Sequence, residues 1–227
     1  MSYILNIETS THICSVSLSK NGQLIELEES HEDKTHAELL TVFIDDVLKR
    51  AGIKANELSA VAVCEGPGSY TSLRIGASVA KGICYGLNIP LIAIPSLKSM
   101  AYGASQKYPD QLLCPMIDAR RMEVYTALYR NTLEIMQETH ALVVDETSFS
   151  EILKSQKVLF FGTGAEKCKQ TITHENATFV NDSFVSSQHM VTLSYESFLN
   201  QFFVDTAYFE PFYLKEFIAV KSQKSFF

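Results

Sequence analysis

The side chains able to do chemistry in this sequence fall into a few short groups. His31-Glu32-Asp33 and His36-Ala37-Glu38 offer imidazoles and carboxylates to a metal. The two histidines are five apart, not the four that would set both on one helical face, so they read as surface residues near a helix start. Glu8-Thr9-Ser10-Thr11 follows an apolar run and offers a carboxylate and three hydroxyls to a phosphate or its metal. It contains no glycine, so backbone amides cannot close on a phosphate as they do in a nucleotide turn. Glu8, Thr9 and Ser10 serving only their own turn is the simpler role. Ser69, in Gly66-Pro67-Gly68-Ser69-Tyr70, does not sit in the G-x-S-x-G elbow of a hydrolase and has no identifiable histidine partner. Gly162-Thr163-Gly164 follows the apolar run Val158–Phe161, but Lys167 stands where a dinucleotide fingerprint needs its third glycine. Asp118 is the remaining candidate for a catalytic carboxylate, and the turn Asp118-Ala119-Arg120-Arg121 gives it a structural role as well. No H-E-x-x-H is present. Neither a catalytic group, a metal nor a cofactor is expected.

The elements that must carry these groups are legible from periodicity. Tyr3–Ile7, Cys14–Leu18 and Gln23–Glu28 read as strands, the last two joined by the hairpin signal Asn21-Gly22. Lys34–Ala51 reads as a helix with Ala37, Leu40, Ile44, Val47, Leu48 and Ala51 on its core stripe, while Leu39, Val42 and Phe43 lie off it. Leu58–Cys64 is a buried strand, broken at Glu65-Gly66-Pro67-Gly68, and a long helix capped by Ser69, Thr71 or Ser72 runs to Leu87. Its core stripe is Leu73, Ala77, Ala80, Cys84 and Leu87. The opposite face is not charged: it carries Ile75, Ser78, Val79, Gly82 and Gly86, with Arg74, Lys81 and Tyr85 along one flank. Each mid-helix glycine costs about 1 kcal/mol against alanine. Ser78, Gly82 and Gly86 on one line therefore imply a close approach, by a neighbouring element of the same chain or by a partner's helix. Two adjacent helices with surplus apolar surface point to a protein–protein patch.

The pattern restarts near Leu112 with strand, turn and strand through Arg130, a strand at Leu133–Leu142, a helix ending at Leu153, the strand Val158–Phe161 and a helix over Glu166–Thr171. Ser194–Phe203 reads as a helix and Phe209–Lys215 as an ordered segment. Strands alternating with helices give an α/β chain, and the two halves read as a degenerate duplication. A length of 227 residues fits one large or two small lobes. The net charge of −7 argues against autonomous, high-affinity binding of nucleic acid, which needs a basic surface to release counterions. Five scattered cysteines with no C-x-x-C fit reduced, buried thiols in a cytoplasmic protein, and neither a signal peptide nor a membrane span is expected.

The opening order of strand, acidic turn, strand, hairpin and strand is similar to the first lobe of the actin/Hsp70/sugar-kinase (ASKHA) superfamily, whose first turn usually reads D-x-G-T. Here Glu8 replaces the aspartate and the glycine is missing. More specifically, ILNIETSTHICSVSL, HAELL, AVCEGPGSYTSLRIGASVAKGICYGLNIPLIAIPSL, MIDARRMEVYTALY, LFFGTGA and EPFYLK together resemble the TsaB (YeaZ) family. The resemblance spans nearly the whole chain and is densest from Glu65 to Ser96. It implies a two-lobed ASKHA-like fold of duplicated mixed sheets covered by helices, with lobes at 1–105 and 106–227 and the segment from about 204 packing back on the first. It also implies a non-catalytic scaffold or activator in making N6-threonylcarbamoyladenosine beside the tRNA anticodon. Such a subunit pairs with the catalytic paralogue TsaD, is joined by the ATPase TsaE, meets tRNA only through the complex, and forms a homodimer when alone. In TsaD a histidine motif follows the strand after the glycine-rich helix; here that place reads Pro95-Ser96-Leu97-Lys98-Ser99-Met100, with no metal ligand. Carried over residue by residue, the contact surface comprises Leu39, Leu40, Phe43, Val47, Ile75, Ser78, Val79, Gly82 and Gly86. Glu8, Thr9, Ser10 and Asp118 would be what is left of a vestigial nucleotide turn. The competing expectation is an active small-molecule kinase or ATPase of the superfamily, with Asp118 as its candidate catalytic carboxylate.

Overall fold

The computed structural model describes residues 1–32 and 36–215. The first sheet is built from β1 (Tyr3–Glu8), β2 (Cys14–Lys20), β3 (Gln23–Ser30), β4 (Ala60–Gly66) and β5 (Leu91–Pro95), in the order β3-β2-β1-β4-β5. The three opening strands are antiparallel, and β4 and β5 add in parallel. Asn21 and Gly22 both take positive φ, as the two-residue hairpin between β2 and β3 requires. Period-two alternation then sorts the side chains. Leu5, Ile7, Val61 and Val63 face the helices α1 (His36–Ala51) and α2 (Tyr70–Leu87), whereas Ile4, Ala60 and Ala62 face the opposite way. The sequence ends this strand at Cys64, but β4 continues to Gly66, which pairs with Pro95 across a bulge.

The second sheet repeats the plan. β6 (Leu112–Asp118), β7 (Glu123–Tyr129), β8 (Ile135–Val143), β9 (Val158–Phe161) and β10 (Ala177–Phe179) stand in the order β10-β9-β6-β7-β8. Here too the first three strands are antiparallel and the last two parallel. The helices after β8 and β9, however, are single turns: α4 (Ser150–Leu153) and α5 (Ala165–Cys168).

The two sheets share elements across the middle of the chain. The helix α3 (Ser96–Ser105) packs Leu97, Met100, Ala101 and Ala104 into the core of the second sheet. In return, the 3-10 turn Ser187–Met190 and α6 (Val191–Leu199) lie on the far face of the first sheet, burying Met190 and Leu193 against Ile4, Ala62, Ile92 and Ile94. From Ser187 onward the chain therefore lies against the first sheet, and Val204 continues the contact at Leu91. Buried hydroxyls pin it: Ser187 N–H donates to Ser15 Oγ at 2.9 Å, and Ser194 Oγ donates to Asn6 Oδ1 at 2.6 Å. The expected helix start at Lys34 and the tail beyond Lys215 lie outside the described residues.

Candidate partner interface

The first turn is sealed by its own chain. Glu8, Thr9 and Ser10 are all buried, and Glu8 Oε1 accepts the Ser10 N–H at 2.6 Å, so the carboxylate occupies an amide that a phosphate would need. The loop leading into α2 lies directly on the turn. Ser69 N–H donates to the Ser10 carbonyl at 2.7 Å, and a Cβ on Gly68 would sit 2.2 Å from that same oxygen. Within α2, a Cβ on Gly76 would meet Thr9 Oγ1 at 2.3 Å. Burial pushes the Glu8 carboxyl above the usual range, although its bonds to Ser10 and Cys64 oppose the shift. Asp118 stands in the β6–β7 hairpin, exposed and paired with Lys167; its carboxylate accepts the Arg120 N–H at 2.9 Å. Among the described residues no hydrogen bond joins Asp118 to the first turn.

The histidines do not converge. His31 is exposed, whereas His36 is buried with Nε2 3.2 Å from the Ile13 carbonyl, and desolvation lowers its pKa. Among the described residues no three His, Cys, Asp or Glu side chains group as metal ligands. At the place of the histidine motif, Ser96 Oγ accepts the Gly66 N–H at 3.2 Å, and Ser99 and Met100 are buried. All five cysteines are buried and free. No described helix is long and apolar enough to cross a membrane.

What remains outward-facing is the surface of α1 and α2. Three residues expected there are inside instead: Leu40, Phe43 and Val47 belong to the lobe's own core, Leu40 and Val47 being at most 1 % exposed. The reason is helical phase, since all three lie on the side of α1 that faces the first sheet, where the helix packs against β2 and β3. Leu39, Ile75 and Val79 are half-buried, resting on that core with one edge in solvent. Ser78, Gly82 and Gly86 are exposed, and a Cβ on either glycine would find no atom within 4 Å. No described element of this chain covers that line. Between the helices runs a groove of about 550 Å³, floored by Leu40, Ile75 and Val79 and walled by His36, Tyr70 and Arg74. Val42, on α1, and Tyr85, on α2, add exposed apolar surface at 51 % and 88 %. Ser69 holds the N-cap position of α2 without a side-chain capping bond, and the helix ends on Asn88 in the left-handed conformation.

The comparisons with known proteins bear on the chain as a whole. Residues 29–216 match the family described as "TsaD: tRNA N6-adenosine threonylcarbamoyltransferase". The tRNA threonylcarbamoyladenosine biosynthesis protein TsaB of Bacillus subtilis (strain 168) is 33% identical over 175 residues, covering 74% of each chain. The chain belongs to the TsaB (YeaZ) family. TsaB of Escherichia coli (strain K12) is 29% identical over 228 residues, covering 96% of both chains. YeaZ from Pseudomonas aeruginosa has the same fold, with a TM-score of 0.83 over 94% of this chain and 100% of that one at 24% identity. In this TsaB-family chain the first turn is closed by Glu8.

Sequence reasoning missed the residues that wall the groove. Tyr70, Arg74 and Lys81 share one flank of α2, and their spacing marks that flank as polar. What it cannot show is the distant segment that lies against it.

Proposed function

We propose that this chain is the accessory subunit of tRNA threonylcarbamoyladenosine synthesis, working by pairing its α1–α2 face with the catalytic TsaD-family transferase rather than by catalysis of its own. The ATPase TsaE joins the pair, tRNA is met through the complex, and the isolated chain closes the same face on a second copy, since an isologous patch is self-complementary. The observation that carries this reading is the line Ser78, Gly82 and Gly86: two helix-weakening glycines, exposed and covered by no described residue outside their own helix. Four-residue spacing forms a ridge-and-groove row that accepts another helix at close range. The sealed first turn and the serine–methionine motif at Ser96–Met100 support a non-catalytic role. The test is Gly82→Leu. Filling the groove line costs roughly 1–3 kcal/mol at a packed contact, or about tenfold and more in Kd. Calorimetric titration against the same organism's TsaD-family transferase reads it, and an unchanged Kd removes α2 from the contact.

A second reading, a small-molecule kinase or ATPase, draws on one observation. A cleft of about 550 Å³ between the lobes is lined by His12, His31, Thr163, Glu166 and Lys169. Titration of ATP–Mg into the isolated chain separates the two readings, because turnover there belongs only to the kinase.

A further inference from the structure

After α6 the chain doubles back along α2. Val204 N–H donates to the Leu91 carbonyl on the outer edge of β5 at 2.9 Å. Asp205 Oδ1 accepts the amides of Ala207 and Tyr208 and turns the chain. Lys81 Nζ then donates to the carbonyls of Ala207 and Phe209, each at 3.0 Å. Phe212 N–H donates to the Glu65 carbonyl at 2.6 Å, over Gly66, where a Cβ would lie 2.6 Å from the Phe212 oxygen. Tyr213 comes next, with its ring centroid 4.9 Å from that of Tyr70 and its hydroxyl accepting from Arg74 Nε at 3.2 Å. The Arg74 guanidinium lies 4.2 Å from the Tyr70 ring and 5.8 Å from the Tyr213 ring. Lys215 closes the segment by pairing with Glu123 at the start of β7.

Tyr70 and Arg74 are wall residues of the α1–α2 groove. An arginine on an exposed flank ordinarily samples many rotamers, and ordering it on binding is costly. Here it is held before any partner arrives, on one side by a ring of its own helix and on the other by a ring 139 residues away. We propose that residues 204–215 are a strap belonging to the recognition surface: Tyr213 fixes Tyr70 and Arg74 as one preformed wall of the groove, which takes a helix of the paralogous TsaD-family transferase. That the occupant is a helix follows from the groove itself, whose apolar floor runs beside an uncovered line repeating every four residues, the period of a helix ridge; that it is the transferase's helix follows from the proposed pairing. This rests on the pairing face proposed above. Tyr213 acts through Arg74 and Tyr70, so it is a positioning residue.

The test uses the full chain in four variants, Tyr213→Ala, Tyr213→Phe, Lys81→Met and Gly82→Leu, each titrated against the same organism's TsaD-family transferase and each melted alone. Tyr213→Ala removes both the tilted ring contact and the bond and is expected to raise Kd about tenfold. Tyr213→Phe keeps the ring and is expected to raise it about threefold. Lys81→Met frees the strap upstream without touching the groove and falls between them. All three strap variants melt within about 2 °C of the parent, and the slowly exchanging Arg74 Nε–H resonance disappears in Tyr213→Ala alone. Wild-type affinity in the strap variants with a weakened Gly82→Leu overturns the strap and leaves the face standing. Wild-type affinity in all four overturns both. A Kd loss matched by a fall in melting temperature, with Tyr213→Phe as damaged as Tyr213→Ala, overturns the positioning role in favour of a general structural one.

Discussion

The two lobes are the same sheet used differently. β1-β2-β3-β4-β5 and β6-β7-β8-β9-β10 correspond strand for strand in order and direction. The loops after the fourth strand correspond as well. Gly66 and Gly162 both take positive φ, at 110° and 103°. Two residues on, Gly68 lies against the Ser10 carbonyl and Gly164 against the backbone of Ile117 and Asp118, so each presses the loop onto the first hairpin of its own sheet. The difference is in the helices. The first lobe has α1 and α2 of 16 and 18 residues; their counterparts α4 and α5 have 4 each. The open face therefore belongs to the first lobe alone. In the second, two short turns cover the sheet, and the lobe is left to brace the strap at Glu123 and to lend α3's partner sheet to the joint.

The glycine pair offers the strongest way to break that correspondence. A Cβ on Gly68 meets only backbone, the Ser10 oxygen at 2.2 Å and its carbon at 2.9 Å, so nothing can swing aside. Gly68→Ala should cost about 3 kcal/mol or more in urea unfolding. At Gly164 the nearest atom is a Val124 methyl at 2.8 Å, with backbone at 3.1 Å. Gly164→Ala should cost about half as much, because a side chain can yield. Equal losses at both positions mean that the loops do not do the same work, and the duplication is then one of strand order only.

How much of this the sequence disclosed depends on whether the cause was local. The strands, the Asn21-Gly22 hairpin and both long helices follow from alternation and helical period, which short windows carry. The closed first turn was half legible: the missing glycine is visible in Glu8-Thr9-Ser10-Thr11, but its burial under Gly68 and Gly76 is a contact across some 60 residues. Resemblance, unlike helical phase, misled. A carried-over contact list placed Leu40 and Val47 outside, although their spacing already put them on the core stripe, and the structure agrees with the spacing. The exchange of α3 and α6 between sheets, and the strap on Arg74, are long-range pairings that no local pattern encodes.

The joint made by that exchange gives a prediction of intermediate size. His189 is buried against Gly103 of α3 and beside the Phe184 ring, and desolvation lowers its pKa to about 4, with Asp182 opposing. The unfolded chain binds this proton near the ordinary 6.5. Between pH 6.5 and 4 the unfolded state therefore holds more protons, and stability falls as pH falls, by up to about 3 kcal/mol over the window if the whole shift is expressed. Urea unfolding across that range should show the slope, and His189→Leu should flatten it. A slope that survives the substitution assigns the acid sensitivity to carboxylates elsewhere and leaves the joint indifferent to pH.

The smallest effects separate the two first turns. Glu8 is buried with a carboxyl pushed upward by desolvation, so folded Glu8 holds its proton more tightly than unfolded Glu8 does. Its contribution is present at low pH and is lost as pH rises through the raised value. Gln keeps the oxygen that accepts the Ser10 amide and removes the buried charge. Glu8→Gln should accordingly be neutral or stabilising by about 1 kcal/mol at pH 7, with the advantage shrinking toward pH 4. The Asp118–Lys167 ion pair is half exposed, its side chains at 51 % and 23 %, and solvent screens it, so Asp118→Asn should cost no more than about 1 kcal/mol. Neither substitution should change pairing with the transferase. A Glu8→Gln chain that folds normally but loses the ability to support tRNA modification would show that the carboxylate serves a ligand after all, and the two turns would then differ in chemistry rather than in burial.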